Sequence, residues 1–511
     1  MLSTINFCII ATIVLYLLVM LAIGFVFSKK NSNSTDFYLG GRKMGPLVTA
    51  MSAEASDMSS WLLMGLPGLA YLAGVCDPAW TAIGLGIGTW LNWFFVARRL
   101  RRYSANINAI TVPEFFSKRY HDSSNVLNAI AAVVIIVFFI PYTASGFAAC
   151  GKLFNSLFGV DYTVAMVISA LVIVGYTIMG GFKAVSTTDF IQSIVMTLAL
   201  IVVVCFGVSK AGGLEAVMDN AKELSGYLAM NATYDVATNT AKPYGILTIV
   251  STMAWGLGYF GMPHILLRFM AIEDEKKLVL SRRVATVWVF IAMAIAIFIG
   301  VVGLGMTNAG ALEFLEGSSS ETIIVKIAGL ISQHGILPAI IAGLILAGIL
   351  AATMSTADSQ MLAAASSVSQ NIVQDFFHAK LSEKQSLLIA RIAIVVISVV
   401  GVFLARDPNS SVFKIVSFAW AGFGGAFGAV MLCSLFWKRS NRWGALAGMI
   451  SGGVMVFVWK YLVRPIGGIW DIYELLPAFL VSLLFIVVVS LVTKAPDERI
   501  QSEFEAAKVS K

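Results

Sequence analysis

The sequence predicts an all-α membrane protein that crosses the bilayer thirteen times. Of its 511 residues, 58% are hydrophobic and only 12% are charged, whereas soluble domains carry about 25% charged residues. The mean hydropathy is +0.86. A helix needs about 20 apolar residues to cross a bilayer. Thirteen runs reach that length, at residues 5–27, 44–73, 77–97, 124–149, 161–179, 187–208, 243–262, 281–305, 336–370, 385–405, 411–437, 443–462 and 474–494.

The first run is too long for the core of a signal peptide, and no small-residue cleavage site follows it, so we interpret it as a retained span. Basic residues set the predicted orientation. With the amino terminus outside, 26 of the 35 lysines and arginines fall near the inner side, among them Lys29, Lys30, Arg98, Arg99, Arg268, Arg282, Lys380, Lys384 and Lys511. This pattern accounts for the net charge of +7 without a nucleic-acid partner. It places residues 495–511 in the cytoplasm as a short tail.

Several kinds of enzyme site are missing from the sequence. The five cysteines and four histidines show no CxxC or HExxH spacing, which argues against a catalytic metal. There is no GxxxxGK[ST] motif to indicate ATP, and no nucleophile–base set appears. We therefore expect no enzymatic activity, no organic cofactor and no obligatory protein partner.

Two of the thirteen runs cannot be straight helices. Run 44–73 carries polar residues at membrane depth and ends in Gly-Leu-Pro-Gly at 65–68. Run 243–262 leads into residues 255–264, where three glycines and a proline oppose a regular helix. These runs begin two successive groups of five spans. Broken helices at matching positions of two halves indicate a transporter binding site, and an odd number of spans per half inverts the halves.

The first break supplies ligands for a small, hard cation. An unpaired carboxylate at membrane depth indicates a functional site, and Asp57 is such a residue. The break would expose the backbone carbonyls near Ala55 and Met58, while Asp57 and Ser59 add side-chain oxygens. The alternative is a kinked helix in which Asp57 caps a neighbouring turn or pairs with an arginine.

A second group of oxygens lies in the ninth run. Ala352, Ser355, Thr356 and Ser359 share one helical face, and Asp358 flanks it. Hydroxyls alone often serve only helix packing. Beside an intramembrane carboxylate they favour a cation path, and a set with little charge suits a monovalent ion better than calcium.

Aromatic residues flank the second break. Trp255, Tyr259 and Pro263 follow one another at i, i+4 and i+8. Such residues can wall a small-molecule pocket. They can equally serve as ordinary packing or as an interfacial belt near the end of a span.

Two further carboxylates have open interpretations. Asp189 begins the sixth run, where it either caps a helix or belongs to a second ion site. Glu54 lies deep in the second run, and it is protonated, paired with a basic residue or exposed to a water-filled vestibule.

Together these motifs resemble those of the sodium/solute symporter family, and most closely those of the bacterial sodium/proline symporters. The resemblance covers nearly the whole chain. The matching stretches are Leu39–Arg42, Ala55–Ser59 with Trp61–Gly68, Trp255–Gly261 with Pro263–His264, Ala352 with Met354–Thr356, and Ala419–Gly424.

The resemblance implies a fold similar to that of the leucine transporter, with a core of two inverted five-helix repeats. The chain would then divide into an extra helix and inner loop, a ten-helix core, two extra helices and a cytoplasmic tail. These are residues 1–43, 44–437 (repeats 44–208 and 243–437), 438–494 and 495–511.

The resemblance also implies roles for individual residues. Sodium would bind the carbonyls of Ala55, Met58 and Ala352 and the hydroxyls of Ser355 and Thr356. Arg42, Asp57 and Ser59 match residues involved in coupling, and we group Glu54 with them. Proline would be enclosed by Trp61, Tyr142, Trp255, Tyr259 and Pro263.

The chain departs from the family pattern at a few positions. Asp358 and Ser359 stand where some relatives place a second sodium site, so a second cation or proton site with Asp189 and Ser355 is a hypothesis. Ser60, Glu54 and Met262 replace the expected Gly, Gly and Gln.

The function we expect is sodium-coupled uptake of L-proline across the plasma membrane by alternating access. One alternative is a sodium- or proton-coupled symporter of another small amino acid or carboxylate. The other is a membrane sensor built on a transporter fold.

Overall fold

The computed structural model describes residues 4–28, 34–236 and 238–508, and it is almost entirely helical. Within these residues, nine helices are long and apolar enough to cross a membrane. A tenth span is the pair Ile246–Phe260 and Pro263–Ala271, which is bent by 44°. Their outward faces carry exposed apolar side chains such as Leu198 (59%) and Leu480 (54%). The chain is therefore a multi-pass membrane protein. Lys29, Lys30 and Lys511 lie outside the described residues.

The elements are numbered in chain order, and short π or 3₁₀ turns join several of them. The helices are α1 (Thr4–Ser28), α2 (Ser34–Leu39), α3 (Pro46–Asp57), α4 (Leu66–Ala73), α5 (Cys76–Leu91), α6 (Ala97–Asn106), α7 (Val112–Arg119), α8 (Val126–Phe158), α9 (Tyr162–Lys210), α10 (Leu214–Glu223), α11 (Ile246–Met253), α12 (Pro263–Ala271), α13 (Leu278–Asn308), α14 (Ile323–Ser332), α15 (Ile336–Ser366), α16 (Glu383–Leu404), α17 (Val412–Phe423), α18 (Ala429–Phe436), α19 (Arg442–Val458), α20 (Leu475–Val492) and α21 (Glu498–Ala506).

Each of the thirteen predicted runs overlaps helical segments of the structure, although the count of thirteen membrane spans stays a prediction. The fifth and sixth runs belong to one helical segment, α9, whose backbone turns at Gly181 with φ +66°. Runs 44–73 and 77–97 are divided into shorter helices by π turns. The segment 209–242, between the sixth and seventh predicted runs, contains α10 and most of an antiparallel hairpin, formed by β1 (Ala232–Asp235) and β2 (Thr240–Pro243).

Both predicted breaks are present. Pro46 opens the first turn of α3, where its missing N–H costs nothing, and the helix ends at Asp57. The backbone leaves the helix at Met58 (φ −81°, ψ 72°) and resumes as a π turn over Trp61–Gly65. These irregular peptides lie at the centre of the protein, where backbone groups can face a site.

The second break is a 3₁₀ turn, Ala254–Phe260, between α11 and α12. Close packing explains its glycines. A Cβ on Gly258 would lie 1.9 Å from the Trp420 indole nitrogen, and one on Gly261 would lie 2.3 Å from the Phe423 carbonyl oxygen. Helix α3 packs against α9, α12, α13 and α15, so the two broken helices and α15 meet in the core.

Candidate functional site

The predicted ion ligands meet where the end of α3 faces the middle of α15. The Ser355 hydroxyl donates to the Ala55 carbonyl at 2.7 Å and lies 3.2 Å from the Ala352 carbonyl. The Thr356 hydroxyl donates to the same Ala352 carbonyl at 3.2 Å. Met58 directly follows the last residue of α3, and its place among the ligands stays a prediction. All five residues are buried, and we call this group the α3–α15 junction.

The donor chemistry of the junction fits a small monovalent cation. Its oxygens are carbonyls and hydroxyls, which suit hard cations, and none of them carries a charge. Hydroxyl hydrogens rotate about the C–O bond. Ser355 and Thr356 can therefore turn their hydrogens away from Ala55 and Ala352 and present lone pairs to an ion.

Asp57 connects this junction to the predicted aromatic pocket. Its backbone carbonyl accepts hydrogen bonds from the Trp61 indole at 3.0 Å and the Tyr142 hydroxyl at 3.3 Å. Its carboxylate accepts a short hydrogen bond from the Tyr259 hydroxyl. The other carboxylate oxygen, Oδ1, has no hydrogen-bond partner among the described residues. Asp57 thus bonds to aromatic side chains, and no arginine pairs with it among the residues that the structure describes.

The group of aromatic rings around Trp255 is larger than the sequence indicated. The Trp255 ring lies 6.1 Å from Trp61, 5.4 Å from Phe413 and 5.2 Å from Tyr473, measured between ring centroids. The Trp420 indole donates to the Trp255 carbonyl at 2.7 Å.

Three of these aromatic residues were missed as pocket residues. Trp420 lies inside the family-like stretch Ala419–Gly424, so its motif could have indicated it. Phe413 begins α17, and Tyr473 precedes α20 in the predicted extra helices, and neither has a sequence signal. Pro263 opens the first turn of α12, and its place in the pocket stays a prediction.

The predicted second cation site contains an arginine. The Arg268 guanidinium on α12 donates to the Asp189 carboxylate at 3.1 Å and to the Ser359 hydroxyl at 2.6 Å. Ser52 on α3 joins the group, because its hydroxyl donates to Asp189 at 2.6 Å. Sequence reasoning counted Arg268 only as an inner basic residue. The ion pair is buried, with side-chain exposures of 2% and 0%.

Asp358 joins this group through Ser359. One of its carboxylate oxygens accepts from Ser359 at 3.2 Å, and the other has no partner among the described residues. Asp189 Oδ1 and Gln192 Oε1 are likewise buried without a donor. The Gln192 amide donates to the Tyr16 hydroxyl of α1 at 3.0 Å. We call Asp189, Gln192, Arg268, Asp358 and Ser359 the charged cluster.

Glu54 contacts α5 and the π turn that follows it. Its carboxylate accepts hydrogen bonds from the Trp93 indole at 2.9 Å and the Thr89 hydroxyl at 3.2 Å. The second carboxylate oxygen is buried without a partner among the described residues. Both of these donors are neutral, and no basic residue pairs with Glu54 in the part of the chain that the structure describes.

Arg42 and Ser59 have local structural partners. Arg42 donates to the carbonyls of Met270 at 2.8 Å and Ala109 at 2.5 Å, so it joins the end of α12 to the segment after α6. Burial and nearby Arg101 lower the pKa of the Arg42 side chain to about 10, which leaves it charged at neutral pH. The Ser59 hydroxyl accepts from the Trp61 backbone N–H at 3.3 Å and helps shape the break.

Comparison with known proteins identifies close relatives. The family model described as the sodium:solute symporter family matches residues 37–452. The osmoregulated proline transporter of Bacillus subtilis is 40% identical, over 96% of this chain and 95% of its own. The sodium/proline symporter of Haemophilus influenzae is 41% identical, over 97% of each chain. The sodium/proline symporter of Escherichia coli is 39% identical, over 98% and 96%.

Solved structures confirm the predicted fold. A Na⁺-coupled sialic acid symporter in a substrate-bound, outward-open state matches with a TM-score of 0.77 at 20% identity, over 97% of this chain and 100% of that one. Mhp1, a nucleobase-cation-symport-1 family transporter in a closed conformation, matches with a TM-score of 0.52 at 13% identity, over 93% and 99%. The chain therefore has the leucine-transporter fold.

Proposed function

The chain belongs to the sodium:solute symporter family, and on this premise we propose that it takes up L-proline by sodium-coupled symport. The observation that carries the proposal is the α3–α15 junction. A neutral set of carbonyl and hydroxyl oxygens includes the Ala55 carbonyl, two residues before Asp57, and Asp57 accepts hydrogen bonds from three aromatic side chains.

The pocket has the chemistry that proline needs. Aromatic rings suit the apolar pyrrolidine ring, and backbone N–H groups at a helix break suit a carboxylate. The walls we assign are Trp61, Tyr142, Trp255 and Tyr259, with Trp420 behind Trp255. Relatives named as proline transporters or sodium/proline symporters are about 40% identical over nearly the whole chain, which supports proline over other amino acids.

Coupling follows from the positions of the ligands. Ala55 and Met58 belong to the broken helix, and Ala352, Ser355 and Thr356 belong to α15. These residues would therefore bind one ion between the broken helix and α15. Holding α3 against α15 fixes the turn that carries Asp57 and Trp61, and so favours a formed pocket. Differential affinity of this kind is sufficient for coupling.

The driving force is adequate for accumulation. Moving one charge through about 100 mV is worth about 2.3 kcal/mol, which corresponds to about a 50-fold concentration ratio. This electrical contribution adds to that of the sodium gradient itself.

The charged cluster supports a second bound cation. It contains two carboxylates and one guanidinium, so the cluster keeps one negative charge when Asp189 and Asp358 are both ionised. Buried acceptors without donors are costly, and Asp189, Gln192 and Asp358 each offer such an oxygen. We assign this place to a second coupling cation or proton.

Orientation and division of the chain complete the proposal. The excess of basic residues places the amino terminus outside and the carboxyl terminus in the cytoplasm. Residues 44–437 would form the transporter core, with repeats over 44–208 and 243–437. Residues 1–43 and 438–494 would add the extra helices, and residues 495–511 the tail.

The decisive experiment is uptake of radiolabelled proline into proteoliposomes. We expect accumulation with an inward sodium gradient, little uptake with potassium in its place, and competition by excess unlabelled proline. Uptake that is independent of sodium, or driven equally well by a proton gradient alone, would contradict the proposal. Failure of proline but success of another small amino acid would keep the coupling and replace the substrate.

A further inference from the structure

We propose that an open groove between the start of α6 and the start of α13 binds the headgroup of an anionic phospholipid. The groove holds about 1200 Å³ of empty space, part of it open to the surroundings. Its basic lining residues are Arg98, Arg99, Arg282 and Lys508, and its one acidic lining residue is Glu275.

The acidic residue of the groove is already engaged. Glu275 accepts two hydrogen bonds from Arg102, at 2.5 Å and 3.1 Å, and lies 3.7 Å from Arg98. Outside the lining, Glu505 bonds to Lys508 and approaches Lys438 at 3.5 Å. Arg99 and Arg282 have no salt-bridge partner among the described residues, so the groove keeps a positive surplus.

Two guanidinium groups that line the groove have nitrogen atoms without an acceptor among the described residues. Arg98 Nε, Arg99 Nε and Arg99 Nη2 are buried, yet none has a hydrogen-bond partner within the described part of the chain. Arginine carries donors only, and a buried donor without an acceptor is costly. An anion with several oxygens, such as a phosphodiester, would satisfy these donors.

Aromatic rings hold the basic groups in position. The Arg282 guanidinium lies 4.9 Å from the Phe94 ring centre, and that of Arg99 lies 5.1 Å from the Phe436 ring centre. Stacking of this kind fixes a guanidinium while its edge stays free to donate. The site is therefore organised before a ligand arrives.

The surroundings of the groove favour a lipid over a soluble anion. Phe94, Phe95 and Phe436 line the same groove and are 45%, 50% and 43% exposed. Exposed rings beside basic groups are typical of the boundary between hydrocarbon and headgroups. This is also the side that the basic residues predict to be cytoplasmic, where basic pockets between helices bind anionic headgroups.

Native mass spectrometry of the purified, full-length protein tests this proposal without reference to transport. The protein in detergent is offered equal amounts of phosphatidylglycerol and phosphatidylcholine. We expect preferential retention of phosphatidylglycerol by the wild type. The double variant Arg99→Gln with Arg282→Gln should retain about 25-fold less, since each surface cation contributes about fivefold. The matched control, Lys380→Gln with Lys384→Gln, removes two exposed charges from the same predicted side and should behave as wild type.

Four outcomes would overturn the proposal. They are equal retention of both lipids, undiminished retention by the double variant, an equal loss in the control variant, and displacement of the lipid by millimolar inorganic phosphate. If the double variant is not monodisperse, Arg282→Gln alone decides the question. Arg282 donates no hydrogen bond to a described residue, and its loss should lower retention about fivefold.

Discussion

The α3–α15 junction and the charged cluster share helix α15, but the junction is neutral and the cluster contains a buried ion pair. At the junction, neutral oxygens from Ala55, Ala352, Ser355 and Thr356 meet with no charge among them. In the cluster, Asp189 already has a resident cation in Arg268. A neutral site can bind a monovalent ion and release it, whereas a buried ion pair stabilises the packing of the helices that carry it. We infer that the junction is where coupling occurs and that the Arg268 pair organises α3, α9, α12 and α15 around it.

The largest effect should come from Arg268→Ala. Removing one member of a buried ion pair leaves the other charge unpaired and costs about 3–5 kcal/mol. We expect a large fall in thermal stability in detergent, measured as the temperature of half-maximal unfolding.

The variant Arg268→Ala with Asp189→Asn serves as the control, because it removes both charges. It should recover much of the lost stability. A double variant no more stable than the single one would show that Arg268 acts through packing alone.

The next effect should come from the double variant Ser355→Ala with Thr356→Ala. It removes two proposed sodium ligands while the helix stays intact. We expect the sodium concentration for half-maximal proline uptake to rise by about 10- to 100-fold, the range seen when groups around a metal site are removed.

The matched control is Ser366→Ala on the same helix, where the hydroxyl bonds only to the Ala363 carbonyl at 2.8 Å among the described residues. An unchanged sodium dependence in the double variant would place the ion elsewhere.

Tyr259→Phe separates the roles of Asp57. The substitution removes the hydrogen bond from the Tyr259 hydroxyl to Asp57 Oδ2. It therefore leaves this buried carboxylate oxygen without its donor. A bond to a charged group contributes about 1.5–3 kcal/mol, so we expect proline affinity to fall by about 10- to 100-fold.

Binding of labelled proline at saturating sodium measures this change. Tyr227→Phe, which removes a hydroxyl bonded to the Ala70 carbonyl at 2.7 Å, is the control. An equal effect of both variants on proline affinity would assign Tyr259 a structural role.

The smallest effect should come from Asp358→Ser. If the charged cluster holds a second coupling cation, this variant lowers the Hill coefficient for sodium or changes the pH dependence of uptake. Initial rates across a sodium series at two pH values measure both. If neither changes, Asp358 has only a structural role.

Sequence reasoning located the elements of this comparison but not their contacts. The breaks after Asp57 and near Trp255 were predictable, because glycine, proline and intramembrane polar residues oppose a regular helix. The spacing of Ser355 and Thr356 put them on one face of α15. Which carbonyl they would meet depended on how α3 packs against α15, and the sequence alone does not carry that register.

Arg268 shows the limit most clearly. Arg268 is one of several basic residues near the predicted inner side. The orientation rule explained its charge, so the sequence offered no reason to place it in a site. Its long side chain instead reaches back to Asp189 and Ser359, which are 79 and 91 residues away in sequence. Phe413 and Tyr473 could not be predicted for a similar reason, because they reach the Trp255 ring from elements outside both predicted breaks.

The most direct test of the central claim is binding of radioactive sodium to the purified protein, with and without proline. If the α3–α15 junction couples the two ligands, proline raises sodium affinity by the same factor by which sodium raises proline affinity. Ser355→Ala with Thr356→Ala should abolish this reciprocity while Ser366→Ala keeps it. Sodium binding that proline does not affect, or reciprocity that survives loss of both hydroxyls, would contradict the account.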